Sequence, residues 1–435
     1  MDKPFDGWLS EHRIERVEAM SPDPAGLPRG KILPTAAFLE AIGSNALRFP
    51  SSLFLITVDG GFVEYQDLAE IEEDLLLVPD RNSLTLAPEL ETRTASVICD
   101  AIYQNGAPAH YTPRQVLRDL LDKYHERGWH PVLAPELEFF LVRTGADSIG
   151  KPDHGPYGIE SVQDHGAFFD DLLRHCETQS IRVRTLIREA GKNQFEFSVE
   201  HTDPLTSADQ AFHFKSAARR IARRHGLTAT FMARPYPTDF GSAMHIHQSL
   251  EDGSGNNLFA DAQGKDTPLF LAYIGGLQRY SPAAIPLLAP YANSYLRFGS
   301  DMSTPANTHW GLENRSVGFR VPESGRAARR VENRIPGADV NPYLAFAATL
   351  GCGYLGMIEN RTPTKPLRTS AYGRKSRLLP GHLLSALDAL HRCRRLRELW
   401  GNVFVDIFIA IKRAEYAAQA RSLSPWELEH LINNV

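Results

Sequence analysis

Apolar residues alternate with charged or imidazole residues, at a strict period of two, in four short stretches of the chain. These are Pro135-Glu136-Leu137-Glu138-Phe139, Gln194-Phe195-Glu196-Phe197, Met244-His245-Ile246-His247 and Arg330-Val331-Glu332-Asn333-Arg334. Successive side chains of a strand point to opposite faces, so each stretch predicts a strand with one apolar and one charged face. A half-buried sheet ordinarily turns a loose mixture of polar residues to water. Here the polar faces hold Glu, His and Arg almost exclusively, which predicts a concave sheet gathering charge around a ligand.

The rest of the chain reads as short strands followed by helices. Ser51–Val58 and Ser96–Tyr103 predict strands, set off by turns at Asp59-Gly60-Gly61 and Asn105-Gly106-Ala107-Pro108. Thr112-Pro113 predicts a helix start, with Thr as N-cap and Pro in the first turn. Val116, Leu117, Leu120, Leu121 and Tyr124 form its apolar stripe and Gly128 ends it. A domain boundary is placed near residue 105, giving units 1–105 and 106–435. Beyond it Ser207–His225, Gly276–Leu288, Asn341–Ile358, most of Leu384–Lys412, and Pro425–Asn434 read as helical, and Glu251–Asn257 as a hairpin turn. Two basic clusters, Arg219-Arg220 with Arg223-Arg224 and Arg392 to Arg397, fall on helices and read as solvated or subunit-facing surfaces.

Composition narrows the class. A chain of 435 residues exceeds the roughly 250–300 at which a single core stops growing. Hydrophobic content of 43% and charged content of 23% are globular values. A net charge of −5 gives no reason to expect nucleic acid or a membrane surface. No apolar run approaches the roughly 18 residues of a membrane span, and the N-terminus lacks a signal-peptide pattern. The four cysteines show no CxxC spacing, so reduced thiols in a cytoplasmic protein are expected.

The charged faces carry the chemistry. Glu136 and Glu138 lie about 6–7 Å apart along one strand face, and without a cation beside them they would repel. By themselves they are as consistent with a pair of surface glutamates. Two histidines on one face, His245 and His247, tilt the balance toward ligands. Carboxylates with an imidazole suit Mg²⁺ or Mn²⁺ better than zinc. Glu332 sits between Arg330 and Arg334, as a charge ladder or as a metal ligand beside anion-binding arginines. Arg315 and Arg320 in Asn314–Pro322 add two guanidiniums, which bind phosphates and carboxylates in bidentate fashion. No Walker loop, kinase signature or GxGxxG is present.

Taken in order, these motifs resemble the glutamine synthetase superfamily from about residue 50 to the C-terminus. Glu136-Leu137-Glu138-Phe139-Phe140, Glu189 with Gln194-Phe195-Glu196, Ala229–Pro235 and Gly241-Ser242-Ala243-Met244-His245-Ile246-His247 carry the resemblance. So do Asn293-Ser294-Tyr295-Leu296-Arg297, Asn314-Arg315-Ser316, Arg330–Arg334 and Asn341-Pro342-Tyr343-Leu344. The resemblance implies an α+β fold, with a small N-terminal β-grasp-like domain and a catalytic domain on a curved antiparallel sheet. It implies a homo-oligomer, a hexameric ring or two stacked rings. It also implies ATP and two or three Mg²⁺ or Mn²⁺ ions per site, one metal on Glu138, Glu189 and Glu196 and another on Glu136, His245 and Glu332. By the same resemblance His247, Ser249 and Arg320 would contact ATP. Gly241, Arg297 and Arg334 would hold glutamate, and Arg315 would stabilise the transferred phosphoryl group.

The departures bear on the nucleophile. Ammonia-using members carry a glutamate six residues after the arginine matching Arg297, and this chain has Ser303 there, with Asp301 two positions short. A small hydroxyl leaves room for an N-substituted amine, so the chain resembles the γ-glutamyl-amine ligase branch, such as γ-glutamylpolyamine synthetases. Asn193 and Ala243 stand for usual glycines and Arg234 for a lysine. The expected activity is ATP-dependent joining of the γ-carboxylate of glutamate to a polyamine or monoamine through γ-glutamyl phosphate. A glutamine synthetase using ammonia, or a non-catalytic ring protein, is the alternative. Phe62–Tyr65 and Phe298–Pro305 are expected to shape the amine pocket.

Overall fold

The protein was analysed as a computed structural model, which describes residues 5–65, 72–143, 154–298, 304–432 and 434. Two sheets organise it. The first contains β1 (Arg16–Pro22), β2 (Pro28–Pro34), β3 (Arg48–Pro50), β4 (Asp74–Pro79), β5 (Thr85–Leu86) and β6 (Thr94–Ile102). Its order is β2-β1-β6-β4-β3 with β5 beside β6, and only the β1–β6 pair is parallel. The second contains β7 (His130–Arg143), β8 (Val183–Arg188), β9 (Gln194–Val199), β10 (Leu227–Thr230), β11 (Ile246–Glu251), β12 (Trp310–Leu312), β13 (Phe319–Val321) and β14 (Val331–Asn333). Its order is β12-β13-β14-β11-β7-β9-β8 with β10 also on β7, antiparallel except between β12 and β13.

Alternation does its work at β7 and β9. Leu133, Leu137, Phe139 and Leu141 of β7 and Phe195, Phe197 and Val199 of β9 are buried on one face. Phe139 meets Phe231 at 5.4 Å and Phe169 meets Phe195 at 4.8 Å, and the helices Gly166–Thr178 and Pro204–Arg224 cover this face. The charged face is left free to build a site.

A buried guanidinium ties the first sheet to the helix Pro204–Arg224. Arg114, 2% exposed, donates to Asp209 at 3.0 and 2.7 Å, to Asp100 of β6 at 2.6 Å and to Asp80, just beyond β4, at 2.7 Å. Arg118 also binds Asp80 and Asp100, and the Tyr343 hydroxyl donates to Asp209 at 2.6 Å.

Several expectations need correction. Ser51–Leu55 is a 3₁₀ turn with Ser51, Leu53, Phe54 and Leu55 buried, not a strand; a short apolar run does not separate buried strand from buried helical turn. Thr112 occupies the cap position, yet its hydroxyl donates to the Ala109 carbonyl instead of capping the helix. Met244 and His245 precede β11, because the Met244 amide bonds the Pro336 carbonyl, and the His245 carbonyl accepts from the Glu136 amide. Of Asn314–Pro322 only Phe319–Val321 is strand, since the Asn314 side chain accepts from the Ser316 amide and turns the chain. Leu384–Lys412 resolves into Leu383–Arg392, Arg394–Trp400 and the start of Asn402–Ala420, broken at Cys393 and at Gly401, whose φ is +87°. The Arg219–Arg224 cluster is not a uniform solvated face: Arg220 pairs with Glu18 and Glu89 inside the chain, and Arg224 donates to the Glu89 carbonyl. Among the described residues no helix is long and apolar enough to cross a membrane.

Candidate active site

Strand register assembles the charged faces into one surface. Glu138 stands opposite Glu196 and Glu136 opposite Ser198 between β7 and β9. On the other side of β7, Ala134 stands opposite His247 of β11. His247 in turn faces Glu332 of β14, and Glu332 faces Arg320 of β13. Directly opposed residues in neighbouring strands point the same way, so residues distant in sequence converge on one side of the sheet.

Each acid has its own partners. Glu136 lies 2.9 Å from His245 Nδ1 and 3.0 Å from His247 Nε2. Glu332, 1% exposed, accepts from Arg320 at 2.8 Å and from Arg334. Glu138 accepts from the Ala243 amide at 2.8 Å and from Gln194 Nε2 at 3.1 Å. Glu196 accepts from the Ser198 hydroxyl at 3.0 Å. Glu189 is fixed through its backbone: its amide bonds the Gln194 carbonyl and its carbonyl accepts from Arg188.

The electrostatics divide these acids into two classes. Burial, reinforced by the other glutamates, pushes Glu138 up to about 8 and Glu196 up to about 9. Burial raises Glu189 as well. Burial acts the same way on Glu136 and Glu332, yet the histidines beside the first and Arg334 beside the second hold both low. Ionising all of them together therefore requires a cation. Two groups place ligand atoms within 4.8 Å of one another, Glu136–His247–Glu332 and Glu136–Glu196–His245. Glu138 and Glu189, expected with Glu196 around one metal, lie outside both groups at that distance, although their charges act on Glu196. His247, expected at ATP, stands as close to Glu136 as His245 does. A donor set of carboxylate oxygens with one or two imidazoles fits a hard divalent cation such as Mg²⁺ or Mn²⁺.

Anion-binding groups surround the acids. Arg297 is 1% exposed and donates to the Ile335 carbonyl at 3.1 Å. Gly241 lies against it, and a Cβ there would come within 2.6 Å of Arg297 Cγ and 2.8 Å of the Ala233 carbonyl oxygen. Arg334 is buried and Arg315 exposed. Ser249 already donates to the Arg329 carbonyl and accepts from Asn257. A cavity of about 560 Å³ runs along the same face, lined among others by Ala134, Glu136, Ser198, His247, Ser249 and Arg330.

Sequence reasoning gave no role to Gln194 or Ser198 and read Arg330 only as an arginine flanking Glu332. Gln194 joins Glu138, the Gly241 carbonyl and Ser242, and Arg330 Nε lies 3.3 Å from His247 Nδ1. All three keep the period of the stretches that carry the glutamates, which was the available signal. Asn193 has a φ of +57°, a region that Asn enters more readily than other non-Gly residues. Arg234 fastens the loop before Gly241 by donating to the Leu296 and Pro237 carbonyls. Phe62 is 64% exposed. Asp301 and Ser303 lie outside the described residues.

Comparison with known proteins agrees with this geometry. The model of the glutamine synthetase catalytic domain matches residues 110–431. The chain is 32% identical to gamma-glutamylputrescine synthetase PuuA of Escherichia coli (strain K12), covering 96% of this chain and 92% of that protein. It is 30% identical to glutamate–isopropylamine ligase of a Pseudomonas species, covering 98% and 96%. Glutamine synthetase of Thermus thermophilus is 31% identical, covering 98% and 97%. The solved structure of apo GmaS superposes with a TM-score of 0.87 at 26% identity, over 99% of both chains. The chain belongs to the glutamine synthetase family.

Proposed function

We propose that this protein is an ATP-dependent ligase that joins the γ-carboxylate of glutamate to an amine. The observation that carries the reading is the single sheet face on which Glu136, Glu138, Glu196, His245, His247 and Glu332 converge beside Arg297, Arg320 and Arg334. The full-length similarity to two glutamate–amine ligases supports it.

The chemistry follows from what each group can do. A carboxylate is a poor acylating agent, so its γ-oxygen attacks the terminal phosphorus of ATP, releasing ADP and leaving an acyl phosphate. The amine nitrogen then attacks the γ-carbonyl, phosphate departs, and the nitrogen loses a proton. Arg297 and Arg334 hold the glutamate carboxylate, with Gly241 admitting it close to the backbone. Arg320, His247 and Ser249 lie where the triphosphate runs, and Arg315 reaches the transferring phosphoryl. Glu136, Glu138, Glu189, Glu196, His245 and Glu332 would hold divalent cations, whose charge would neutralise the phosphates and raise the electrophilicity of phosphorus.

In the same reading the chain divides near residue 105, acts in the cytoplasm and assembles as a hexameric ring or two stacked rings. Phosphate release with glutamate, ATP, Mg²⁺ and a panel of polyamines, aliphatic monoamines and aromatic monoamines tests the activity. A primary amine should support turnover well above ammonium. Turnover best supported by ammonium would assign the protein instead to the ammonia-using branch, to whose members it is 31% identical. No phosphate release with any nucleophile would refute both.

A further inference from the structure

A second cavity, of about 440 Å³, has none of the acids of the charged sheet face in its walls. Its walls come from distant parts of the chain: Leu27 and Val58 near the N-terminus, Lys215 and Arg219 on the helix Pro204–Arg224, Thr228–Met232 at the end of β10, and Tyr291, Asp339 and Gln419 beyond them. Lys215 and Arg219 are one helical turn apart and both sit over the Phe231 ring, at 5.2 and 5.1 Å from its centre. Two donors of Lys215 Nζ are used by the Ala338 and Val340 carbonyls. Arg219 is different. Its neighbours on the same helix are paired, Arg220 to Glu18 and Glu89 and Arg224 to the Glu89 carbonyl. Among the described residues, the Arg219 guanidinium makes neither a hydrogen bond nor an ion pair. The acid on the cavity wall, Asp339, turns Oδ2 to the Ser294 hydroxyl at 2.5 Å.

Arg219 is half-buried over an aromatic ring on a cavity wall, so part of its hydration is lost without a counter-charge gained. The usual resolution is a ligand that brings the charge. We infer that this cavity is a binding site for a small oxyanion, a carboxylate or phosphate carried on a short apolar body. The fork of Arg219 takes two oxygens in bidentate fashion, the hydroxyl of Thr230 lies within the same walls, and Leu27, Val58 and Met232 receive the apolar part. Burial lowers both the Lys215 and Arg219 proton affinities, with Lys215 down to about 7, as expected of cations awaiting an anion.

The site has a route to the catalytic face. Asp339 forms part of its wall and bonds Ser294, on the short helix Ala292–Tyr295 that leads directly into Arg297. An anion beside Lys215 and Arg219 draws those cations away from Asp339 and changes the field at Arg297. The cavity is thereby a regulatory site, and this part rests on the assignment of Arg297 to glutamate.

Calorimetric titration of the full-length protein with butyrate and with inorganic phosphate, at constant ionic strength, tests binding apart from catalysis. Saturable binding of at least one is expected. It should weaken tenfold or more in Arg219→Leu and be partly restored in Arg219→Lys, with thermal unfolding showing that both variants fold. Butyrate alone would mark a carboxylate ligand and phosphate alone a phosphate ligand. Absence of binding by either, or equal affinity in Arg219→Leu, overturns the site. The regulatory step is read separately, as a change of about fivefold or more in KM for glutamate on saturation. Undiminished binding with an unmoved KM refutes the coupling while leaving the site in place.

Discussion

Binding of a divalent cation to the charged face must expel protons, and their number follows from the register of β7 and β9. Glu138 and Glu196 are directly opposed and buried, pushed up to about 8 and about 9. In the metal-free protein near pH 7 both are therefore largely protonated. A cation binds the ionised forms, so loading the site with Mg²⁺ should release about two protons at pH 7. Near pH 9.5 both groups are already largely ionised and the release should fall to about 0.3. Calorimetric Mg²⁺ titrations repeated in Pipes, Hepes and Tris give the number as the slope of observed enthalpy against buffer ionisation enthalpy. Apparent Mg²⁺ affinity should rise with pH across the same range. Glu196→Gln should lower the release by about one proton. A slope below about half a proton at pH 7, or one that does not shrink at alkaline pH, would refute the reading of these two carboxyls as cation ligands.

Three further outcomes follow from other parts of the molecule. Arg114→Met leaves Asp209 buried without its counter-charge and unclasps the first sheet from the helix Pro204–Arg224, so urea unfolding should show a loss of about 3–5 kcal/mol; a loss under about 1 kcal/mol would mean the clasp carries little net stability. His213 is buried and burial lowers it to about 3 against 6.5 unfolded, so its contribution is fully present above pH 6.5 and is lost as pH falls toward 3. The acid limb should lose up to about 1.4 kcal/mol per pH unit, and His213→Gln should flatten it when stability is followed by thermal unfolding against pH. Gly241→Ala drives a methyl into Arg297 and the Ala233 carbonyl, and KM for glutamate should rise about tenfold, a displacement cost of about 1.4 kcal/mol. Unchanged kinetics would free Arg297 of its proposed role.

What the sequence could convey divides along the range of the interactions. Period two is a local property, and it placed β7 and β9 because each strand buries aromatics on one side and acids on the other. Which strands would be neighbours is not local. That Glu138 opposes Glu196, and His247 opposes Glu332, depends on pairings across 58 and 85 residues, and no spacing in the chain encodes them. The same limit explains the edges of the elements. His245 keeps the alternation of its stretch, yet β11 begins only at Ile246, because the preceding Met244 amide turns to the Pro336 carbonyl. Basic clusters show the limit most clearly. Arg219, Arg220, Arg223 and Arg224 are alike as sequence, and amphipathic spacing assigns all of them to a wet face. Folding separates them by what arrives from elsewhere: Glu18 and Glu89 of the N-terminal part reach Arg220, while Arg219 receives an aromatic ring and a cavity. Which arginine of the cluster pairs and which comes to line a cavity is thus visible only once the chain has folded, which is why the second cavity emerges from the structure and the acidic face already stands in the sequence.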